Sequence, residues 1–347
     1  MPKSLKIAVA GAGIYGSTIA TSLARQGHRV TLFDPLGVMR AASVINQFRV
    51  HSGYHYPRSA ETMAEILEVK DEFLREFREA IVHGSRHYYA IPHQGSKVSP
   101  AEYEAVLRRF SLPFQNVRPR WMNFDFINAC YRVDEKVYDP RLLRSIVVRR
   151  LKASGVPFVC ERFFSKDERL YDRVVYATYG TCGNHVRLFD RVQLQVAEKI
   201  LIQLPRELRK ISLVVVDGPF TAFDSYGNSR FSLFGSALHT NHWKMFKPEK
   251  PVPERYRKIL NARIFEPVRF THFSKMREEA QRAVPLASRA KYLGSRFTLR
   301  LVEYNPSEDR RILRIGQAGK EISVFSGKVV SAVKAARIVC EMVAADA

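Results

Sequence analysis

Three glycines near the start of the chain, Gly11, Gly13 and Gly16, constrain the fold more than any other feature. They follow Lys6 to Ala10, a short apolar run with strand character, and precede Ile14 to Arg25, where apolar residues recur at helical spacing. Gly27 and His28 end that helix, Arg29 to Phe33 reads as a second strand rich in β-branched and aromatic residues, and Asp34 closes it. Strand, glycine turn, helix and strand make one βαβ unit. In such a unit the first glycine permits the sharp turn, the second lets a pyrophosphate approach the backbone, and the third allows close contact between helix and strand. Ile14 and Tyr15 complete the turn, and the helix N-terminus offers free amides and a partial positive charge to phosphates. An acidic side chain at Asp34 can accept hydrogen bonds from the ribose hydroxyls. A dinucleotide site is the resulting expectation, although the turn alone does not separate a flavin from a nicotinamide dinucleotide.

Further along, Arg40 to Pro57 has no clean period and reads as a loop or broken strand, and Ala60 to Glu79 as a long amphipathic helix. Asp139-Pro140 caps and opens another helix that stops near Gly155. Strands at Pro157 to Cys160 and Arg173 to Thr178 then suggest a return to the first sheet. Ile200 to Leu204, Leu213 to Val216 and Phe231 to Phe234, separated by turn signals, predict an antiparallel meander. Pro253 to Arg282 reads as helical, Phe297 to Tyr304 with Arg311 to Ile315 as a hairpin about Asn305-Pro306-Ser307, and Lys328 to Val343 as a last helix.

With 347 residues, 46% hydrophobic and 26% charged, the chain suits a globular α/β protein of two intertwined domains. No apolar run approaches membrane-spanning length and no leader precedes the first strand, so a cytoplasmic protein is expected. The cysteines at 130, 160, 182 and 340 have neither disulfide-framework nor zinc spacing. Fifty-six basic against thirty-four acidic side chains leave a formal charge of +22, which attracts anions at long range. Because the basic residues are spread along the chain without an RNA-binding signature, a generally basic surface is preferred to a nucleic-acid site.

Four segments together resemble the D-amino-acid oxidase and L-2-hydroxyglutarate dehydrogenase superfamily of FAD-dependent oxidoreductases. They are the fingerprint Ile7 to Asp34; Ser43 to Ser59, whose His51-Ser52-Gly53-Tyr54-His55-Tyr56 looks like the H-[AS]-G-x-Y-Y flavin-side loop; Val137 to Gly180; and Gly316 to Lys328. Two departures stand out: Tyr179 interrupts the usual A-T-G, and His55 stands where the motif has tyrosine. The resemblance implies a p-hydroxybenzoate-hydroxylase-like architecture of the glutathione-reductase type 2. An FAD domain would be built from residues 1–75, 138–195 and 305–347, and a mixed-sheet substrate domain from 76–137 and 196–304. It implies FAD contacts from Gly11, Gly13, Ile14, Tyr15, Gly16, Asp34, Ser43, Asn46, His51, Ser52, Gly53, Thr178, Gly180, Gly316, Gly327 and Lys328. It also implies hydride transfer from the CH–OH or CH–NH of a small anionic metabolite. Relatives in the superfamily that modify an amino-acid-like side chain of tRNA, and a flavin-binding module without turnover, are the alternatives.

For catalysis the expected residues are His51, Arg49 and Tyr54. An imidazole can accept the substrate proton near neutral pH, a guanidinium fork matches a carboxylate, and tyrosines at 54 and 56 can line the pocket. Arg58 and Arg300 are further candidate cations. His239 and His242 have ligand-like spacing, yet no acidic or cysteine partner accompanies them in sequence, so no metal is expected.

Overall fold

The computed structural model describes residues 4–181, 188–189, 191–246, 251–305 and 310–345. The first half of the chain forms β1 (Lys6–Ala10), α1 (Ile14–Arg25), β2 (Arg29–Phe33), β3 (Arg49–Val50), α2 (Ala60–Glu76), β4 (Arg86–Pro92), α3 (Pro100–Arg109), β5 (Phe114–Asn116), β6 (Ile127–Val133), β7 (Lys136–Val137) and α4 (Pro140–Ala153). The second half forms β8 (Phe158–Val159), β9 (Arg173–Tyr176), β10 (Val192–Gln203), β11 (Ile211–Val215), β12 (Thr221–Ser225), β13 (Ser232–Ser236) and β14 (Asn241–Phe246). It ends with α5 (Glu254–Arg257), α6 (Phe273–Ala283), β15 (Lys291–Glu303), β16 (Arg314–Ala318), β17 (Glu321–Phe325) and α7 (Ala332–Ala345).

Two sheets dominate this α/β fold. The first has the order β16-β17-β9-β1-β2-β8, with every neighbouring pair parallel except β16 and β17. Its strands come from three separate stretches of chain, and α1 lies against α7 and α4 on one face. The second sheet runs β14-β10-β13-β12-β11-β4-β6-β5, with β15 along the other edge of β10, and is mostly antiparallel. Strand alternation sorts its side chains. Tyr89, Val214, Ala222 and Leu233 join the core shared with the first sheet's helices, while Tyr88, Leu213, Phe223 and Phe234 pack with Phe273 and Met276 of α6. Asp139 caps α4 by accepting from the amides of Arg141 and Leu142, as the Asp-Pro start predicts.

Several expectations need correction. The hairpin about Asn305 does not form: β15 pairs along its length with β10, and β16 pairs with β17 through the turn at Gly319. Both partners offer longer continuous ladders than the local turn would, and Pro306 and Ser307 lie outside the described residues. The helical stretch 253–282 is interrupted, because Asn261 has φ 57° and Pro267 follows, leaving only α5 and α6. The expected domain boundary at 195/196 falls inside β10. No described helix is long and apolar enough to cross a membrane.

Candidate functional site

The turn between β1 and α1 divides its three glycines between two tasks. Gly11 sits at φ 99°, and a Cβ there would lie 2.5 Å from the Ala177 carbonyl oxygen at the end of β9. A Cβ on Gly16 would come within 1.9 Å of the Gly11 carbonyl oxygen. These two are required by packing. Gly13 instead has φ −69° and serves as the N-cap of α1; its Cβ would meet only the Ser43 hydroxyl, at 3.0 Å. The absence of a side chain at Gly13 keeps open the space in front of the helix. Gly13 has no side chain with which to cap α1 and the first turn carries no acid, so the positive end of the helix faces that space. The Ile14 amide donates to Ser43 Oγ at 3.0 Å. Asp34 accepts from the Ala12 amide (2.9 Å) and the Leu36 amide (2.8 Å), so its carboxylate holds the turn.

The 42–56 loop packs beside this turn. Asn46 acts within it, donating to the Ala42 carbonyl (2.9 Å) and accepting from the Phe48 amide (2.6 Å), while Tyr138 shares a hydrogen bond with it (3.0 Å). Its amide holds the loop's shape. Gly53, at φ 106°, provides the following turn. Tyr54 does not line a pocket: it is 1% exposed, and its hydroxyl donates to the Pro113 carbonyl at 2.7 Å. Arg49 is likewise buried. Its guanidinium lies between Glu135 (2.8 Å) and Asp224 (2.5 Å), all three side chains being at most 2% exposed. A buried guanidinium already matched by two carboxylates has no charge left for a third.

His51 keeps its position as a candidate. Among the described residues its Nδ1 has no hydrogen-bond partner, and it stands 3.7 Å from Glu135 Oε1, with its side chain 19% exposed. Glu135, which pattern reading did not single out, is the centre of this region. It accepts from the Ser52 amide (3.0 Å), the Tyr89 hydroxyl (2.8 Å) and Arg49 (2.8 Å). Burial alone would raise its pKa, but His51 and Arg49 outweigh that and hold the carboxyl well below its ordinary range. Asp224 is shifted the other way, since burial exceeds the help of Arg49. Burial also pushes His55 and His87 down to about 3, so both are neutral imidazoles. His55, whose ring is 5.4 Å from that of His51, thus presents no charge beside it.

The C-terminal segment reaches the same region. Lys328 is 2% exposed, its Nζ lies 3.1 Å from Glu65 Oε1, and burial lowers it to about 8. Glu65 also accepts from Ser331 Oγ (2.6 Å) and the Leu313 amide (2.8 Å), and Tyr15 in the first turn of α1 donates to the Lys328 carbonyl. Among the described residues only Arg311 comes within 4 Å of a Cβ on Gly327. Thr178 lies behind Gly11, and a Cβ on Gly180 would be 3.1 Å from the Leu299 side chain where β15 crosses. Tyr179, at φ 52°, stacks on Phe325 with ring centroids 5.4 Å apart. Gly316 is remote from the turn: the row Gly316, Ser323, Tyr176, Ala10 puts it three strands from β1, roughly 14 Å away.

Arg58 pairs with Asp217, and Arg300 donates to Gln195 at 2.7 Å. His239 and His242 do not converge as a pair. His242 Nε2 instead meets Glu198 Oε2 at 2.7 Å, and its ring stacks on His272 at 3.8 Å and 8°. Glu198, His242 and His272 thus each bring one ligand atom within 4.8 Å of the others, Glu198 being an acidic partner that the sequence did not show beside these histidines. Glu198 is meanwhile supplied by Thr271, Ser295 and the His272 amide. A cleft of about 320 Å³ between α1, α2, α4 and α7, lined by Ser17, Thr21, Glu72 and Arg337, lies behind the glycine turn.

The glycine-capped N-terminus of α1, the space that a Gly13 Cβ would fill, and the carboxylate ending β2 fit the pyrophosphate and ribose of FAD. Comparison with known proteins agrees. The FAD-dependent monooxygenase FPY4 of Fusarium mangiferae is 26% identical over 93% of this chain and 87% of its own length. The FAD-dependent monooxygenase kojA of Aspergillus flavus is 31% identical over 44% of this chain and 37% of its own. Glycine oxidase from Geobacillus kaustophilus has the same fold, with a TM-score of 0.71 at 12% identity, covering 98% of this chain and 94% of that one. The family model described as FAD dependent oxidoreductase matches residues 6–193, and the chain belongs to that family as an FAD-dependent enzyme.

Proposed function

We propose that the protein oxidises the CH–OH or CH–NH group of a small anionic metabolite, with residues 1–75, 138–191 and 305–347 forming the FAD-binding unit and the large sheet the substrate side. The turn at Gly11, Gly13 and Gly16, with Ser43, Asp34 and Lys328, would hold the cofactor. FAD, when bound, supplies the hydride acceptor. The protein's own part in the reaction is the handling of the proton, and one observation carries that role: among the described residues His51 Nδ1 has no hydrogen-bond partner, and it faces a buried carboxylate at 3.7 Å.

In this reading His51 accepts the proton of the substrate's hydroxyl, and the charge it gains is met by Glu135. The Ser52 amide, Tyr89 and Arg49 hold Glu135 in place and keep it ionised, so it stabilises an imidazolium without itself taking the proton. For a neutral amine substrate there is no such proton to remove, and His51 matters less.

The experiment is anaerobic reduction of the purified yellow protein by hydroxy acids, amino acids and amino sugars. With an alcohol substrate, His51→Asn should keep FAD bound while slowing single-turnover reduction about 10²- to 10⁴-fold, as expected for loss of a general base. Equal rates and an unchanged pH profile would leave His51 structural. The names of the two fungal relatives favour a second reading, insertion of an oxygen atom into the substrate; ¹⁸O from labelled dioxygen in the product would establish it.

A further inference from the structure

With Arg49 neutralised, the anionic group of a substrate needs another cation, and the large sheet carries one. Lys199, in the middle of β10, is 7% exposed and makes no hydrogen bond or ion pair among the described residues. Its neighbour Glu198 points to the opposite face, toward His242 and Thr271. The face occupied by Lys199 can be read from the residues beside it. Its cross-strand partner Arg296 donates to the Val44 carbonyl (3.0 Å) in the 42–56 loop and to the Ala262 carbonyl (2.7 Å). On the other side, just beyond the Ile200–Phe234 pair, Gly235 is covered by Gln47, whose Nε2 would lie 2.1 Å from a Cβ there. Lys199 therefore lies beneath the loop that also carries Ser43 and leads to His51.

We propose that Lys199 receives the carboxylate or other anionic group of the substrate between the large sheet and the 42–56 loop. This rests on the reading of the chain as an oxidoreductase of anionic metabolites. A buried ammonium with no partner is costly, and an incoming anion removes that cost while gaining a desolvated charge pair. Several charged groups face it. Arg300 of β15 opposes its charge, and Arg296 stands across the strand from it. Asp224 of β12 favours it but is already matched to Arg49, and Glu198 acts from the reverse face. The 42–47 part of the loop contributes no titratable side chain. Burial first, then Arg300, lowers Lys199 to about 7, so at neutral pH it exchanges between amine and ammonium. An anion binds only the ammonium form and must draw a proton onto the enzyme. Affinity is therefore full below about pH 7 and falls above it.

The test uses the FAD-loaded protein and acetate, pyruvate and benzoate, three carboxylates of increasing size, with binding read from flavin absorbance between pH 5.5 and 8.5. Wild type should bind at least one of them, with Kd rising about tenfold per pH unit above pH 7. Lys199→Met, which removes an unpaired buried charge and should fold, is expected to weaken binding at pH 6 by ten- to a hundredfold and to lose the pH dependence. Lys199→Arg should carry the pH 6 affinity up to pH 8.5, because a guanidinium stays charged. An unchanged Kd and pH slope in Lys199→Met would overturn the proposal. So would a Lys199→Met variant whose ligand-free flavin spectrum shifts while carboxylate affinity keeps its slope, since Lys199 would then serve the flavin. If FAD binds and is reduced by a substrate but no carboxylate perturbs it, the anion site fails and the oxidoreductase reading stands. If no substrate reduces bound FAD, it is the oxidoreductase reading that fails.

Discussion

Replacing Arg49 by methionine should damage the fold before it damages substrate binding. The guanidinium is the ion-pair partner of Asp224, whose two carboxylate oxygens make no hydrogen bond among the described residues, and one of three donors to Glu135. Methionine fills much of the volume but leaves two carboxylates buried at 0% side-chain exposure. Removing one partner of a buried ion pair costs about 3–5 kcal/mol. At roughly 2–3 °C per kcal/mol for a chain somewhat larger than 250 residues, the FAD-loaded protein should lose about 10 °C in Tm. The deficit has a pH signature. Asp224 is already raised by burial, and without Arg49 it rises further, so the folded variant gains by binding a proton there. A carboxyl with a raised folded pKa destabilises most at high pH, and the gap to wild type should narrow as pH falls from 8 to 5.5. Adding Asp224→Asn should recover a large part of the loss. Thermal unfolding followed by flavin fluorescence measures all of this. A variant within about 2 °C of wild type that shows only a raised KM for an anionic substrate would refute the reasoning and return Arg49 to the substrate.

Two further outcomes separate the tasks of neighbouring residues. Gly13→Val should fold yet bind FAD at least about a hundredfold more weakly, because its side chain enters the phosphate space, whereas Gly16→Ala should lose stability through its clash with the Gly11 carbonyl. Equilibrium dialysis with FAD and thermal unfolding distinguish the two, and a Gly13→Val variant with unchanged FAD affinity would displace the phosphate site. His87, 1% exposed and lowered to about 3 by burial and then Arg49, is neutral when folded and protonates below pH 6.5 when unfolded. Stability is intact above pH 6.5 and should fall by about 1.4 kcal/mol per unit below it. Denaturant titrations at pH 7.5 and 5.5 should show His87→Gln with a shallower acid loss than wild type, and equal slopes would contradict the buried neutral imidazole.

The βαβ unit was legible residue for residue because its determinants are local. Glycine backbone freedom, alternating apolar residues and a helix period all act within 30 residues, and β1, α1 and β2 have the expected bounds. The Asp139 cap of α4 is local in the same sense. What only the tertiary structure decided is the partner of each strand and the surroundings of each charge. β15 took β10 rather than the nearer β16, since a thirteen-residue strand gains more from a full ladder than from a short turn. Arg49 looked available in sequence because Glu135 and Asp224 stand 86 and 175 positions away, and only folding brings them to 2.8 and 2.5 Å. Lys199 carried no motif at all; its character comes from desolvation, which depends on what covers a residue and not on its neighbours along the chain.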